Sequence, residues 1–139
     1  MADTHSNALG WLLDQELGEV DGVKCAVLVS GDGLLQARTR GIEQDYAEKL
    51  AALSAPLRAA GNATSKHIGG GGVRQHLIEF AACFALTTAA ANNAMLSVVT
   101  TGTDADVELI TRHMVQLAVR LGHAMEVEER RPVEVGSPT

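Results

Sequence analysis

An uncharged stretch of 24 residues, from Phe80 to Thr103, limits the folds that are open to this chain. A segment of this length without charge either crosses a bilayer or is buried in a protein core. Asn92 and Asn93 lie in its middle, and five threonines and a glycine reduce its hydrophobicity. We therefore predict two buried strands, Cys83 to Thr88 and Met95 to Thr100, joined by a turn at the two asparagines.

Hydrophobic periodicity predicts the remaining elements. Apolar residues recur every three or four positions over residues 7–20, over residues 43–65 and after Asp104, whose side chain can cap a last helix. β-Branched or alternating apolar residues indicate three more strands, Val23 to Ser30, Leu34 to Thr39 and Val73 to Phe80. The predicted order is α-β-β-α-β-β-β-α. This order indicates an α+β fold (an α/β sandwich), in which helices flank a five-stranded antiparallel sheet.

One domain is predicted over residues 7–127. The chain has 139 residues, of which 46% are hydrophobic, and this is enough for one core without a metal or a disulfide. Residues 128–139 are charged and contain prolines, so we predict a disordered C-terminal tail. The first residues carry no basic start and no apolar signal core, which favours a cytoplasmic protein without direct membrane insertion.

The second predicted helix carries two stripes of side chains. The larger side chains form one stripe: Tyr46, Leu50, Leu53 and Leu57. Alanines spaced by four form the other: Ala47, Ala51, Ala55 and Ala59. Small side chains allow another element to approach closely, and that element is either this protein's own sheet or the same helix of a second copy. The pattern alone leaves both interpretations open. Pro56 removes one hydrogen bond inside this helix and predicts a kink.

The sequence shows no motif for catalysis or for binding a metal or a cofactor. No lysine of a phosphate-binding loop follows the glycine run Gly69 to Gly72, and no GxGxxG occurs. No two histidines have the i, i+4 spacing of a zinc site, and no CxxC accompanies them: His5, His67, His76, His113 and His123. Cys25 and Cys83 lie singly in apolar runs, which favours buried, reduced thiols. We predict a protein that is not an enzyme and needs no cofactor.

The net charge of −6 argues against binding to nucleic acid or to anionic lipid, because both require a cationic surface. Arg74 follows the flexible glycine run and permits two interpretations. It could act as an arginine finger inserted into a GTPase. The alternative, which we favour, is a charge at the surface or at an interface.

Several segments together resemble the roadblock/dynein-light-chain family. The most specific is a hydrophobic strand followed by Ser-x-Asp-Gly-Leu, from Ala26 to Leu35. The others include Trp11 to Leu13, Leu50 to Ser54, Val73 to Gln75 and Leu96 to Val98, in matching order over residues 8–125. The chain is most similar to the bacterial branch found beside small Ras-like GTPases, and there to the roadblock protein of actinobacterial conservon operons.

The resemblance implies a profilin-like/roadblock architecture and a non-enzymatic homodimer, in which the second helix and the third strand each pair with their copies. This favours the dimer interpretation of the alanine stripe. The residues carried over to the interface lie on that helix and that strand: Ala47, Ala51, Ala55, Arg58, Arg74, His76 and Ile78. The chain departs from the family at Ala81-Ala82, where a glycine-containing turn is common, and at Pro56.

The leading functional hypothesis is a homodimeric adaptor that binds a small Ras-like GTPase and modulates its nucleotide cycle. A sensor-kinase-like protein is a further partner implied by the resemblance, and such partners would recruit the dimer to the inner face of the membrane. One alternative is a scaffold in a sensor-kinase complex without nucleotide-dependent control. Another is a small-molecule sensor, which would need an apolar pocket around Cys25, Cys83 and Met95.

Overall fold

The computed structural model describes residues 7–130 of the chain, and side chains as far as residue 126. Three helices are present: α1 (Ala8–Leu17), α2 (Gln44–Ile68) and α3 (Val107–Arg130). Five strands are present: β1 (Val23–Val29), β2 (Leu35–Arg38), β3 (Gln75–Glu79), β4 (Phe84–Ala89) and β5 (Met95–Thr100). A short 3₁₀ turn, Ala91–Asn93, joins β4 to β5. The α+β fold class and the predicted element order are confirmed.

The five strands form one antiparallel sheet in the order β2-β1-β5-β4-β3. The uncharged stretch supplies β4 and β5, which lie in the interior of the sheet as the absence of charge predicted. The turn between them is tight because Asn92 and Asn93 both have positive φ angles, a conformation that asparagine tolerates better than most residues. The outer strands are β2 at one edge and β3 at the other.

The two faces of the sheet are covered unequally. Helices α1 and α3 pack on one face, where they bury the larger core with Leu28, Leu96 and Val98 of the central strands. Of the described helices, only α2 packs on the other face, where Val27, Val29 and Met95 form a smaller core with its alanines. No helix in the described part of the chain is long and apolar enough to span a membrane.

The helix ends follow local chemistry. The Asn7 side chain caps α1 by accepting a hydrogen bond from the Gly10 amide at 2.7 Å. Helix α2 continues without a break through Pro56 and ends at Gly69, whose φ of 72° is costly for other residues. The cap predicted at Asp104 is wrong: Asp106 accepts from the Leu109 amide at 3.0 Å, two positions nearer the helix. Helix α3 extends to Arg130, and residues 131–139 of the predicted tail lie outside the described residues.

A polar contact joins α1 to α3 at the edge of the larger core. The Glu16 carboxylate lies 2.9 Å from His113 Nδ1 and accepts from Arg120 Nη1 at 2.8 Å, while its side chain is only 14% exposed. The hydrogen bond with His113 lowers the pKa of Glu16 below its ordinary 4.5, and Arg120 lowers this pKa further. Burial has the opposite effect but is outweighed. The ionised carboxylate therefore stabilises the folded state.

We expect Glu16→Gln to lower the free energy of unfolding by about 1 kcal/mol at pH 7, because it removes a partly screened charged pair. The loss should be complete above pH 4.5, where the carboxylate of the unfolded chain is ionised, and should shrink as the pH falls through the lowered pKa of Glu16. Urea unfolding of the native chain and of Glu16→Gln at a series of pH values measures this loss of unfolding free energy. Glu19→Gln, at an exposed position just beyond α1, is the control. Equal effects of the two substitutions at pH 7 would refute this role for Glu16.

Candidate functional site

The free edge of the sheet at β3 is the first component of the site. Two hydrogen bonds at its ends fix which backbone groups face β4: the Ala89 amide donates to the Arg74 carbonyl, and the Phe80 amide donates to the Cys83 carbonyl, both at 2.8 Å. Backbone groups alternate in direction along an antiparallel strand. The N–H and C=O groups of Gln75, Leu77 and Glu79 therefore point away from the sheet, where the described chain has no further strand.

The opposite edge, at β2, is better protected. The Asn7 side chain donates a hydrogen bond to the Gln36 carbonyl at 3.2 Å, and helix α1 packs beside this strand. β2 also has only four residues and a bulge in its pairing with β1 between Leu28 and Val29. Short, bulged and covered edges resist pairing with another chain. β3 is therefore the edge better suited to accept another strand.

An apolar groove lies beside the β3 edge, and it is the second component. Its walls are α2 on one side and β3, β4 and β5 on the other, and its volume is about 470 Å³. Leu53 and Leu57 of α2 and Phe80 after β3 line it, with 59%, 44% and 48% of their respective surfaces exposed. Three large apolar side chains left exposed around one groove mark a surface suited to binding another apolar surface.

The position of α2 explains why this groove is open. Ala47 and Ala51 are fully buried and bring α2 close to β1 and β5. Ala55 is partly buried, and the backbone of Gly33 in the β1–β2 turn approaches its side chain. The first three alanines of the stripe thus face this protein's own sheet, while Ala59 is exposed. Leu53 and Leu57 of the larger stripe face outward. Helix α2 sits over one half of the sheet and leaves much of β3 and part of β4 uncovered on this face.

Three buried hydroxyl groups form the floor of the groove. Thr87 Oγ1 and Ser97 Oγ, on paired strands, lie 2.8 Å apart. Ser54 of α2 donates to the Leu50 carbonyl at 3.0 Å, and its oxygen lies 3.5 Å from Ser97 Oγ. These hydrogen bonds allow polar side chains to be buried beneath an apolar surface. No sequence motif predicted this cluster, although hydroxyl residues inside uncharged strands are a detectable signal.

His76 is the ionisable residue that lines the groove. Its Nε2 atom is buried and has no hydrogen-bond partner among the described residues. Burial lowers the pKa of His76 below its ordinary 6.5, because the charged imidazolium is poorly solvated there. The residue is consequently neutral at pH 7.

The structure brings only part of the predicted interface to one surface. His76 and Ile78 lie on the groove side of β3, and Arg74 is exposed at the beginning of the free edge. Arg58 of α2 is engaged within its own chain, where it donates to the Asn93 backbone oxygen at 2.6 Å and to Asn93 Oδ1 at 2.9 Å. The buried side chains of Ala47 and Ala51 have no exposed surface to offer a partner.

The cysteines do not form part of this groove. Cys25 is buried, and burial raises the pKa of its thiol to about 11, which disfavours the reactive thiolate. Met95 is also buried, and neither Cys25, Cys83 nor Met95 lines the groove. This groove is therefore not the pocket around Cys25, Cys83 and Met95 that the small-molecule sensor hypothesis required. Among the described residues, no group of three His, Cys, Asp or Glu residues could hold a metal ion.

Comparison with known proteins identifies the class to which this fold and surface belong. The sequence model of the Roadblock/LC7 domain family matches residues 9–100, and the chain belongs to this family. Two crystal structures of a Roadblock/LC7 domain from Streptomyces avermitilis are similar to it. One is 28% identical with a TM-score of 0.78, and the match covers 84% of this chain and 96% of that chain. The other is 31% identical with a TM-score of 0.67, and the match covers 82% of this chain and 98% of that chain.

A more distant similarity extends to MglB proteins. Myxococcus xanthus MglB is 19% identical with a TM-score of 0.77, and the match covers 87% of this chain and 97% of that chain. A structure described as MglB with tetrameric arrangement is 20% identical with a TM-score of 0.77, over 91% and 93% of the two chains. At these identities the similarity shows the shared fold. No curated protein sequence matches this chain.

Proposed function

We propose that this protein forms a homodimer through the β3 edge and the apolar groove beside it. The observation that carries the proposal is their adjacency: a free strand edge and a groove with exposed Leu53, Leu57 and Phe80 lie on one side of the chain. A second copy related by a two-fold axis would extend the sheet through β3 and bring its own α2 over the groove. Such a dimer covers both features at once.

The alternation of backbone groups limits the register of this pairing. The outward-pointing groups belong to Gln75, Leu77 and Glu79, so these residues must form the hydrogen-bonded pairs of a symmetric antiparallel ladder. A two-fold axis at Leu77 pairs each Leu77 with its copy and each Gln75 with Glu79 of the second copy. This register uses every outward group of the strand. It places His76 opposite Ile78 of the second copy on the groove side.

The predicted interface residues take different parts in this arrangement. Ile78 and His76 contribute side chains at the strand pairing, and Arg74 lies beside its end. Arg58 holds the β4–β5 turn through Asn93 and lies one residue beyond Leu57 on the paired helix. Ala47 and Ala51 act indirectly, because their burial places α2 where Leu53 and Leu57 face a second copy.

We further propose that the dimer is an adaptor that binds a small Ras-like GTPase and modulates its nucleotide cycle. Membership of the Roadblock/LC7 family supports this proposal, together with the resemblance to family members found beside such GTPases. Arg74 is exposed at the beginning of the β3 edge, and the sequence shows no catalytic motif. If the dimer stimulates hydrolysis, it does so by repositioning switch residues of the GTPase itself.

We expect Leu53→Asp to abolish the dimer and leave a folded monomer, because this side chain is 59% exposed in the single chain and becomes buried in the dimer. Sedimentation equilibrium measures the mass, and circular dichroism checks the fold. Trp11→Asp is the matched control, since Trp11 is equally exposed (58%) but lies on α1, beside β2 at the opposite edge of the sheet. Retention of the dimer by Leu53→Asp, or its loss in both variants, would contradict the proposed interface.

For the GTPase partner, the test is a binding titration against the Ras-like GTPase encoded nearest to this protein, loaded with GDP or with a non-hydrolysable GTP analogue. We expect at least about tenfold tighter binding to one nucleotide state, because only a difference in affinity can shift the switch. Arg74→Ala should retain both binding and any stimulation of hydrolysis. Loss of stimulation with retained binding would instead assign Arg74 a direct catalytic role.

Equal affinity for the two nucleotide states would favour the alternative, a scaffold that holds a sensor-kinase complex together without nucleotide-dependent control. Absence of binding to either state would refute the GTPase partner and leave the fold and the dimer unaffected. The dimer and GTPase proposals therefore stand on separate measurements.

A further inference from the structure

The Nε2 atom of His76 has no hydrogen-bond partner among the described residues, and the proposed dimer would bury it further. The Nε2 atom is already buried in the single chain, at the side of the groove where β3 faces α2. In the register centred on Leu77, Ile78 of the second copy lies opposite His76. The second copy therefore adds an apolar side chain beside the imidazole, which removes water from it without adding a hydrogen-bond acceptor.

The charged residues that line the cavity next to His76 are both arginines. Arg58 from α2 and Arg74 from the segment before β3 line the cavity next to it, and both are cationic. Neither β4 nor β5 presents an ionisable side chain there; they contribute Thr87, Ala89 and Met95. Among the described residues, no Asp or Glu lines the groove or this second cavity.

The acidic residue nearest in sequence points elsewhere. Glu79 lies on β3, but its side chain is on the face opposite to His76 because successive side chains alternate across a strand. In the register centred on Leu77, Glu79 of the second copy pairs with Gln75 on that same opposite face. The β3 strand of the second copy thus brings no negative charge to His76.

We infer that this protein dimerises only when His76 is neutral, so that acidification, by placing a proton on the His76 ring, dissociates the dimer. The inference rests on the proposed dimer and identifies a proton as its regulator. Burying an unpaired imidazolium between two apolar surfaces and beside two arginines is strongly unfavourable. Because each dimer contains two copies of His76, both protons must leave before the interface can close.

The pKa of His76 supports the direction of this effect. Burial lowers it in the single chain, and the second copy would lower it further by completing the burial. A group whose pKa falls on association favours the associated state above its free pKa and opposes it as the pH falls below that value. Acidification therefore weakens the dimer, and raising the pH above neutrality has little further effect.

Sedimentation equilibrium of the full chain at pH 7.5, 6.5 and 5.5 tests the inference. We expect the dimer dissociation constant to rise by at least about tenfold between pH 7.5 and pH 5.5. His76→Leu and His76→Gln remove the ionisable ring and should change the constant by less than about twofold over the same range. His67→Leu, at an exposed position in the last turn of α2, should retain the full dependence of the native chain.

The outcomes separate this inference from the proposed dimer. A dimer at pH 7.5 that does not weaken on acidification, or that weakens equally in both His76 variants, overturns the role of His76 and leaves the interface in place. Absence of a dimer at pH 7.5 in the native chain overturns both proposals. Far-ultraviolet circular dichroism at each pH confirms that the dissociated chain remains folded.

Discussion

Strands in a sheet lie about 4.8 Å apart, so the five strands of this protein extend over about 19 Å, whereas an α-helix with its side chains is about 10 Å wide. Two helices, α1 and α3, are therefore needed for one face of the sheet. Within residues 7–130, the other face is packed by α2 alone, which covers about half of it. The groove, the exposed leucines and the uncovered side of β3 all follow from this mismatch in width. A second copy of α2 would supply the missing cover.

The placement of α2 depends on small side chains. Ala47 and Ala51 allow the helix to approach β1 and β5 closely, on the side of the sheet away from its β3 edge. Larger residues at these positions would lift the helix and change the width of the groove. Ser54 lies on the same buried side, where its hydroxyl meets the Thr87 and Ser97 pair. The floor of the groove is thus hydrogen-bonded internally, which leaves its walls to bind through apolar contact.

Much of this fold could be predicted from the sequence, because the signals are local. The uncharged stretch led to the two strands β4 and β5, and hydrophobic periodicity gave all three helices in the correct order. Helix ends were less predictable: Asp104 and Asp106 are equally plausible caps, and the geometry of the turn selects Asp106. Membership of the family followed from the order and spacing of several short segments, none of which is specific alone.

The candidate site was only partly predictable, for a physical reason. Periodicity showed that α2 has an alanine stripe and a leucine stripe, but it could not show which stripe faces the sheet. Hydrophobicity alone suggests that Leu53 and Leu57 are buried; the structure buries Ala47 and Ala51 instead, because close packing on the sheet favours the smaller side chains. The buried Nε2 of His76 depends on neighbours from α2 that are distant in sequence, so no local pattern could identify it.

Amide hydrogen exchange at β3, measured over a range of protein concentrations at pH 7.5, tests the central claim that the β3 edge is completed by a second copy. The informative amides are those of Gln75, Leu77 and Glu79, which point away from the sheet. The account predicts that they exchange rapidly in dilute solution and become protected, all three together, as the protein concentration rises through the dimer dissociation constant. Rapid exchange of these amides at concentrations where the protein is fully dimeric would show that the copies associate through another surface.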